Sequence, residues 1–442
     1  MSSKISTVDL IISGGTILCI DPEMRVLKNH NIAIQNGIIR DIYPTTSAIY
    51  EAAETIDAQD CIVIPGLINA HTHVPMTYFR GLADDLPLDT WLRNHIWPAE
   101  ARHVSPRLVY DASLHGAAEM IKNGIVLLND MYFFCEQTAQ ALTTIGMRGI
   151  LGEAVIQAMM SADGIHNIGK QALQLRTQFA DNPLIDFALS PHSIYTCDRS
   201  VLEKCTDIAL SHDMMIHMHL CETKSESENC LKEHGIKPVF YLDQIGLLKA
   251  HAVMAHGVWI DEDEMELLAH HGNSIITCTD SNLKLVSGIA PLQQYAAHGV
   301  NVCMGTDGVA SNNNLDMLSE MDITAKIHKI TTGDPSFLPA SDVLRMATIN
   351  GAKALGLEAS MGSLEIGKNA DVVLLSLDAL ETQPLYNPYS HVVYAMNSNC
   401  VRDVVIAGEI VLQNRVLTKV DEAEIIATAK TYQKQIASEQ EK

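Results

Sequence analysis

Short apolar stretches recur along the chain in two rhythms, and the change of rhythm divides it. Near the N-terminus, "VDLIISGGTILCI", "HNIAIQNGIIRDI" and "ETIDAQDCIVIPG" read as short strands with turn signals at "SGG" and "QNG". The same β character returns in "GSLEIGKNADVVLLSL" and "HVVYAMNSNCVRDVVIAGEIVLQNRVL". One small β domain built from both termini accounts for this, over residues 1–64 and 361–420. A C-terminal helix or tail follows at 421–442.

Between these parts, over 65–360, apolar β runs alternate with helical patterns. Eight such runs are present: "CIVIPGLINAHTH", "GIVLLNDM", "RGILGEAVI", "LIDFALSPH", "MMIHMHLCE", "AVMAHGVWI", "NSIITCTD" and "NVCMGTD". "RLVYDASLHGAAEMIKNG" and "DEDEMELLAHHG" lie between them as helices, the second closing on glycine. Eight βα units predict an α/β fold, a (β/α)8 barrel. A doubly wound open sheet is the structural alternative.

In a barrel the C-terminal ends of the strands meet at one face. Most of the runs finish in His73, Asp130, Glu153, His192, Glu222, His256 or Asp307. For any one of them, a polar residue where a strand stops is explanation enough. Seven together point to a site.

Composition narrows the classes. The charge is 30 − 53 = −23, which repels a phosphate backbone and argues against a nucleic-acid polymer as partner. No apolar run approaches the roughly 20 residues that cross a bilayer, so no membrane span is expected. The start lacks a signal-peptide pattern, and a cytoplasmic protein is the default expectation. The ten cysteines form no C-x-x-C pair and read as reduced core thiols.

His71 and His73 stand two apart on an extended chain, so one face presents two imidazoles. Alone, that pair is either half of a metal site or two polar residues at a strand end. "IHMHLCET" adds His217, His219 and Glu222; for these a core histidine and a solvated carboxylate are the plain alternatives. "MAHGVWI" adds His256 and "MGTDGVASNNN" adds Asp307. Three histidines and an aspartate at strand ends suit a hydrolytic zinc or iron site. Asp307 would take a proton from the bound water and Glu222 would shuttle one to the substrate. His115 and Glu119, at i and i+4, read as a surface helix pair, and His270 and His271 as a helix C-terminus.

"PGLINAHTH", "HLCET", "AHGVWI", "SNLKLVSGIAPL", "GTDGVASNNNLDM" and "GSLEIGKNADVVLL", in this order, resemble the amidohydrolase superfamily. Within it the chain looks like the 5'-methylthioadenosine/S-adenosylhomocysteine deaminases, alongside the triazine chlorohydrolases and guanine deaminases. The resemblance implies a TIM barrel with a small β-sandwich from both termini and one divalent metal, Zn2+ or Fe2+. It implies His71, His73, His219, His256 and Asp307 as ligands, with Glu222, Asp307 and His256 in catalysis. No lysine ends the fourth strand, where Pro191 and His192 stand, which favours a mononuclear site. "YFRGLADDLPLDTWLRNHIWPAE" is similar to a loop in which Trp91 walls the pocket and Glu100 meets ribose hydroxyls; His192 would contact substrate.

The implied partner is a small nucleoside, and the implied reaction is hydrolytic deamination of its adenine ring. The same site acting on guanine, a triazine, a pterin or aminodeoxyfutalosine is the near alternative; a non-catalytic metal-binding scaffold is the distant one. Relatives often assemble, so a homo-oligomer is one expected state. Two departures stand out. "TCTDSNLK" has Thr277 and Thr279 where the family commonly has histidine and proline. Glu153 is expected near the substrate, where some relatives place an arginine for an amino-acid carboxylate. Its charge would favour 5'-methylthioadenosine, adenosine or 5'-deoxyadenosine over S-adenosylhomocysteine.

Overall fold

The computed structural model describes residues 6–440, of which 438–440 by backbone alone. Residues 1–5 and 441–442 of the expected terminal segments lie outside the described residues. The chain divides into two compact units. One runs up to Ile68 and adds Met120–Val126 and Asp316–Val420; the other takes Asn69–Glu119, Leu127–Leu315 and the segment from Asp421.

The first unit holds two sheets. Ser6–Ser13, His30–Gln35, Ile38–Pro44 and Tyr50–Asp57 form a four-stranded sheet. The seven-stranded sheet joins Thr16–Leu18, Val26–Lys28 and Cys61–Pro65 to the late strands Val372–Ser376, Val401–Ile406, Glu409–Gln413 and Val416–Leu417. Ile12, Ile32 and Ile34 of the first sheet share one core with Ile17, Val63, Leu374 and Val405 of the second. Two antiparallel-rich sheets that bury their facing sides this way make a sandwich.

The barrel strands are Leu67–Thr72, Ile125–Tyr132, Arg148–Val155, Ile185–Pro191, Ile216–Leu220, Ala252–His256, Ser274–Thr277 and Asn301–Met304. They lie side by side in chain order, and the registered pairs are parallel. Their near-continuous burial is what a sheet covered on both faces requires. The run "CIVIPGLINAHTH" is not one strand. Cys61–Pro65 joins the seven-stranded sheet and Leu67–Thr72 opens the barrel. Gly66 lies between, where an added Cβ would meet Val126 Cγ2 at 2.3 Å.

Polar bonds draw the two ends of the barrel sheet together. Asn69 brackets Thr306: its Oδ1 accepts from the Thr306 amide at 3.0 Å, and its Nδ2 donates to Thr306 Oγ1 at 2.7 Å. The Asp307 amide then donates to the His71 carbonyl at 3.0 Å. Gly305 permits this approach, since a Cβ there would lie 2.7 Å from the His71 nitrogen and oxygen. Residues 236 positions apart, His71 and Asp307, thus become neighbours through the main chain.

Helices Pro106–Lys122 and Glu262–His271 occupy the expected stretches. The second starts at a capping box of Asp261 and Glu264 and ends at Gly272, φ 73°. His115 is only half buried, its ring against Tyr78, and Glu119 pairs with Arg80 instead of with it. All ten cysteines are free and buried. No helix among the described residues is long and apolar enough to cross a membrane.

Candidate metal centre and substrate pocket

His71, His73, His219 and Asp307 each offer a ligand atom, and these atoms all lie within 4.8 Å of one another. His71 Nε2 and His73 Nε2 both stand 3.3 Å from Asp307 Oδ1, and His73 Nε2 stands 3.2 Å from His219 Nε2. A divalent ion bound at about 2.0–2.2 Å holds its ligands at such separations.

The outward ring nitrogens show what the inward ones must be. His73 Nδ1 donates to the Met131 carbonyl at 2.6 Å, and His219 Nδ1 donates to the His192 carbonyl at 2.8 Å. Each proton outside leaves a lone pair inside, in the arrangement that metal-binding imidazoles adopt. His71 Nε2 is buried with no hydrogen-bond partner. Lone pairs facing one another across 3.2 Å, with an orphaned buried nitrogen beside them, fit a cation.

Electrostatics agree. Burial opposes charge on Asp307, but the His71 and His73 imidazoles, each with Nε2 3.3 Å from its Oδ1, hold its carboxyl well below the usual range. Burial lowers His71 to about 4. At His73 burial also opposes the proton, yet Asp307 outweighs it and lifts the ring to about 9. That proton belongs on Nε2, the atom an ion would take, so proton and ion compete there.

His256, expected as a fifth ligand, is not in the four-residue cluster. Its Nδ1 donates to Asn282 Oδ1 at 2.9 Å, and its Nε2 faces Glu222 Oε2 at 3.8 Å. This turns the ring toward Glu222 and the pocket, where it can orient a water. Glu222 is 7% exposed; burial raises its pKa, with Asp307 adding to the rise and His256 opposing it. Three non-glycine residues at these strand ends sit in the left-handed region: Cys221 at φ 52°, His256 at 75° and Asp307 at 60°. Such strain persists where surrounding contacts over-determine it.

Those contacts come largely from one segment. Ser281 Oγ donates to Asp307 Oδ2 at 2.7 Å, Asn282 holds His256, and Ser287 Oγ donates to Glu222 Oε1 at 3.0 Å. "SNLKLVSGIAPL" was legible as a motif, but its spacing alone does not show that it fastens three different site residues. Thr277 and Thr279, in place of the usual histidine and proline, bond each other at 3.2 Å.

Trp91, Glu100, His192, His73, Glu222, His256 and Asp307 line one pocket. Glu100 Oε1 accepts from the Tyr132 hydroxyl at 2.6 Å, a partner the sequence did not reveal. Burial pushes the Glu100 carboxyl up to about 7, against that hydrogen bond. Trp91 is fixed by its indole N–H on the Ala83 carbonyl, 3.0 Å. At about 100° per residue, a regular α-helix puts residues nine apart on opposite faces. Here Leu92–Ile96 is a π-helical turn, with Pro98 just after it. Its slower winding brings Glu100 round to the side of Trp91.

Glu153 does not join the pocket. Its carboxylate accepts from the amides of Phe134 and Cys135, both at 3.0 Å, at the start of helix Cys135–Ile145. Two orphan helix donors claim the side chain. The repulsion expected between Glu153 and a substrate carboxylate loses its basis. Asp130 is likewise structural: its Oδ1 accepts from the Val74 amide at 2.6 Å, fixing the turn after His73.

Residues 62–411 match the amidohydrolase family. The chain is 43% identical over 424 residues to a 5-methylthioadenosine/S-adenosylhomocysteine deaminase of Syntrophobacter fumaroxidans, covering 95% of this chain and 97% of that one. It is 38% identical over 431 residues to a 5'-deoxyadenosine deaminase of Methanosphaera stadtmanae, covering 97% and 99%. The crystal structure of an adenosine deaminase from Xanthomonas campestris with bound zinc superposes with a TM-score of 0.95 at 39% identity, over 98% of this chain and 99% of that one. Fold, clustered ligands and matches over nearly the whole length agree: the chain belongs to the amidohydrolase family.

Proposed function

We propose that the chain hydrolytically deaminates adenine nucleosides at C6, giving the inosine-type product and ammonia. The observation that carries this is the buried Glu222 carboxyl in one pocket with His73, His219 and Asp307 of the ligand cluster and with Trp91 and Glu100. The deaminase names of relatives 38–43% identical support it.

His71, His73, His219 and Asp307 would hold one divalent ion. The nitrogen-rich set favours zinc, with iron(II) second. When bound, the ion supplies a water acid enough to attack near neutral pH. Asp307 accepts a proton from that water. Glu222 delivers a proton to N1 of the ring, which makes C6 electrophilic. His256 orients the attacking water. A C6–O bond replaces the C6–N bond, and the two water protons end on N1 and on ammonia. Glu100 accepts from the ribose hydroxyls, Trp91 walls the nucleoside and His192 contacts the base.

A wider cleft of about 900 Å³ adjoins this pocket and shares Leu88, Leu92, Trp97, Tyr195 and Glu222 with it. It gives a 5' substituent room. With Glu153 turned away, 5'-methylthioadenosine, adenosine, 5'-deoxyadenosine and S-adenosylhomocysteine all belong to the proposed substrate class. A small-molecule enzyme of the cytoplasm is the setting this reading implies.

The test is ammonia release from a purine nucleoside panel, with metal content measured on the same sample. Stoichiometric metal and ammonia from adenine nucleosides are expected. Metal without ammonia from any of them would sink the reading and leave the same site on another substrate, or the scaffold, as the alternatives.

A further inference from the structure

Resting on that reading, we propose that Ser287 is a positioning residue: it commits one oxygen of Glu222 and so reserves the other for proton transfer. The Ser287 hydroxyl, 5% exposed, donates to Oε1 at 3.0 Å. Oε2 is the oxygen that faces His256 Nε2, at 3.8 Å. An oxygen that accepts a hydrogen bond is the less basic of a carboxylate pair. The mobile proton therefore belongs on Oε2, on the side of the attacking water.

The bond is directional because Ser287 itself cannot move freely. Its amide donates to the Asn282 carbonyl at 2.9 Å, and its carbonyl accepts from the Trp259 indole N–H at 2.8 Å. Asn282 in turn holds His256. Hydrogen bonds thus run from His256 through Asn282 and Ser287 to Glu222, whose other oxygen faces His256 again across 3.8 Å. Val286, β-branched and 86% exposed, is forced to φ 57° just before Ser287. A β-branched residue adopts that region only under constraint. No apolar burial compensates Val286, so the strain is balanced by what its neighbour reaches. The main chain of Glu222 is fixed separately: Glu226 accepts from the amides of Cys221 and Glu222, both at 3.0 Å. Backbone and side chain of the shuttle are thus held from opposite ends.

The experiment is steady-state kinetics on metal-loaded protein with adenosine. Ser287→Ala should lower kcat about tenfold to a hundredfold, the range for losing a hydrogen bond to a charged group. KM and metal content should stay within about twofold. Ser287→Thr should recover most of the loss, and Ser287→Val, of equal bulk, should not. In a Glu222→Gln background, Ser287→Ala should add nothing, because its effect passes through the carboxylate. Unchanged kcat in Ser287→Ala, or an undiminished loss in the Glu222→Gln background, would overturn the assignment. If alanine does not fold, the threonine–valine pair decides on the same terms. No ammonia from the wild type would instead overturn the deaminase reading.

Discussion

Inside the barrel, His71 Nδ1 lies 2.7 Å from His217 Nε2. If His71 Nε2 is to bind an ion, its proton must sit on Nδ1 and be donated to His217. His217 then carries its own proton on Nδ1, which is buried without a partner. Burial first, and the neighbouring imidazoles after it, keep His217 neutral. His217→Phe should therefore weaken metal affinity about 10–100-fold, the usual cost of losing an outer partner of a ligand. Chelator competition on folded protein reads this directly. Unaltered affinity would show that His217 only fills the core.

Glu222→Gln should retain full metal content and lose about 10²–10⁴-fold in kcat, the span of general acid–base catalysis. Metal analysis and ammonia release on one preparation check both halves. A variant that keeps turnover would remove Glu222 from the mechanism.

Glu100 gives a pH prediction. Its carboxyl is raised to about 7, so the folded state prefers it protonated. In the substrate-free protein this stabilises most below its unfolded pKa of about 4.3, and the contribution is lost as pH rises through 7. Ribose hydroxyls need the ionised form as acceptor. KM for ribosides should fall between pH 6 and 8, while Glu100→Gln should have a flatter and higher KM profile. Parallel KM profiles for the two proteins would assign the titration elsewhere.

Glu153→Ala should cost about 1–2 kcal/mol of stability through the two helix donors it leaves unpaired. It should change the kcat/KM ratio of S-adenosylhomocysteine to 5'-methylthioadenosine by less than about twofold. Denaturant unfolding and paired assays test this. A large gain for the charged nucleoside alone would return Glu153 to the pocket.

The contrast between Glu153 and the histidines shows what a sequence makes legible. His71 and His73, and likewise His217 and His219, follow strand alternation, so their shared faces could be read from spacing. Which of His217 and His219 reaches the ion could not; it depends on ring contacts across strands. Glu153 lies near the end of strand Arg148–Val155, as His192 stands just past Ile185–Pro191, but the amides of Phe134 and Cys135 compete for it, and they belong to another element. Ser281, Asn282 and Ser287 are small polar residues that look like ordinary loop chemistry. Only their partners Asp307, His256 and Glu222 give them a role. The split at Gly66 was hidden because both halves are equally apolar and the divider is a close approach to Val126.

The π turn at Leu92–Ile96 has a consequence for how such a pocket changes over time. It takes up one extra residue while the helix on either side keeps its phase. Deleting a single residue within it would restore an ordinary winding and leave Glu100 at nearly its present angle to Trp91. Deleting one between Ile96 and Glu100 would instead swing Glu100 by about 100°, while the clustered His71, His73, His219 and Asp307 kept their places at the barrel strand ends. Where the chain changes length thus matters to this pocket as much as which residue type stands in it.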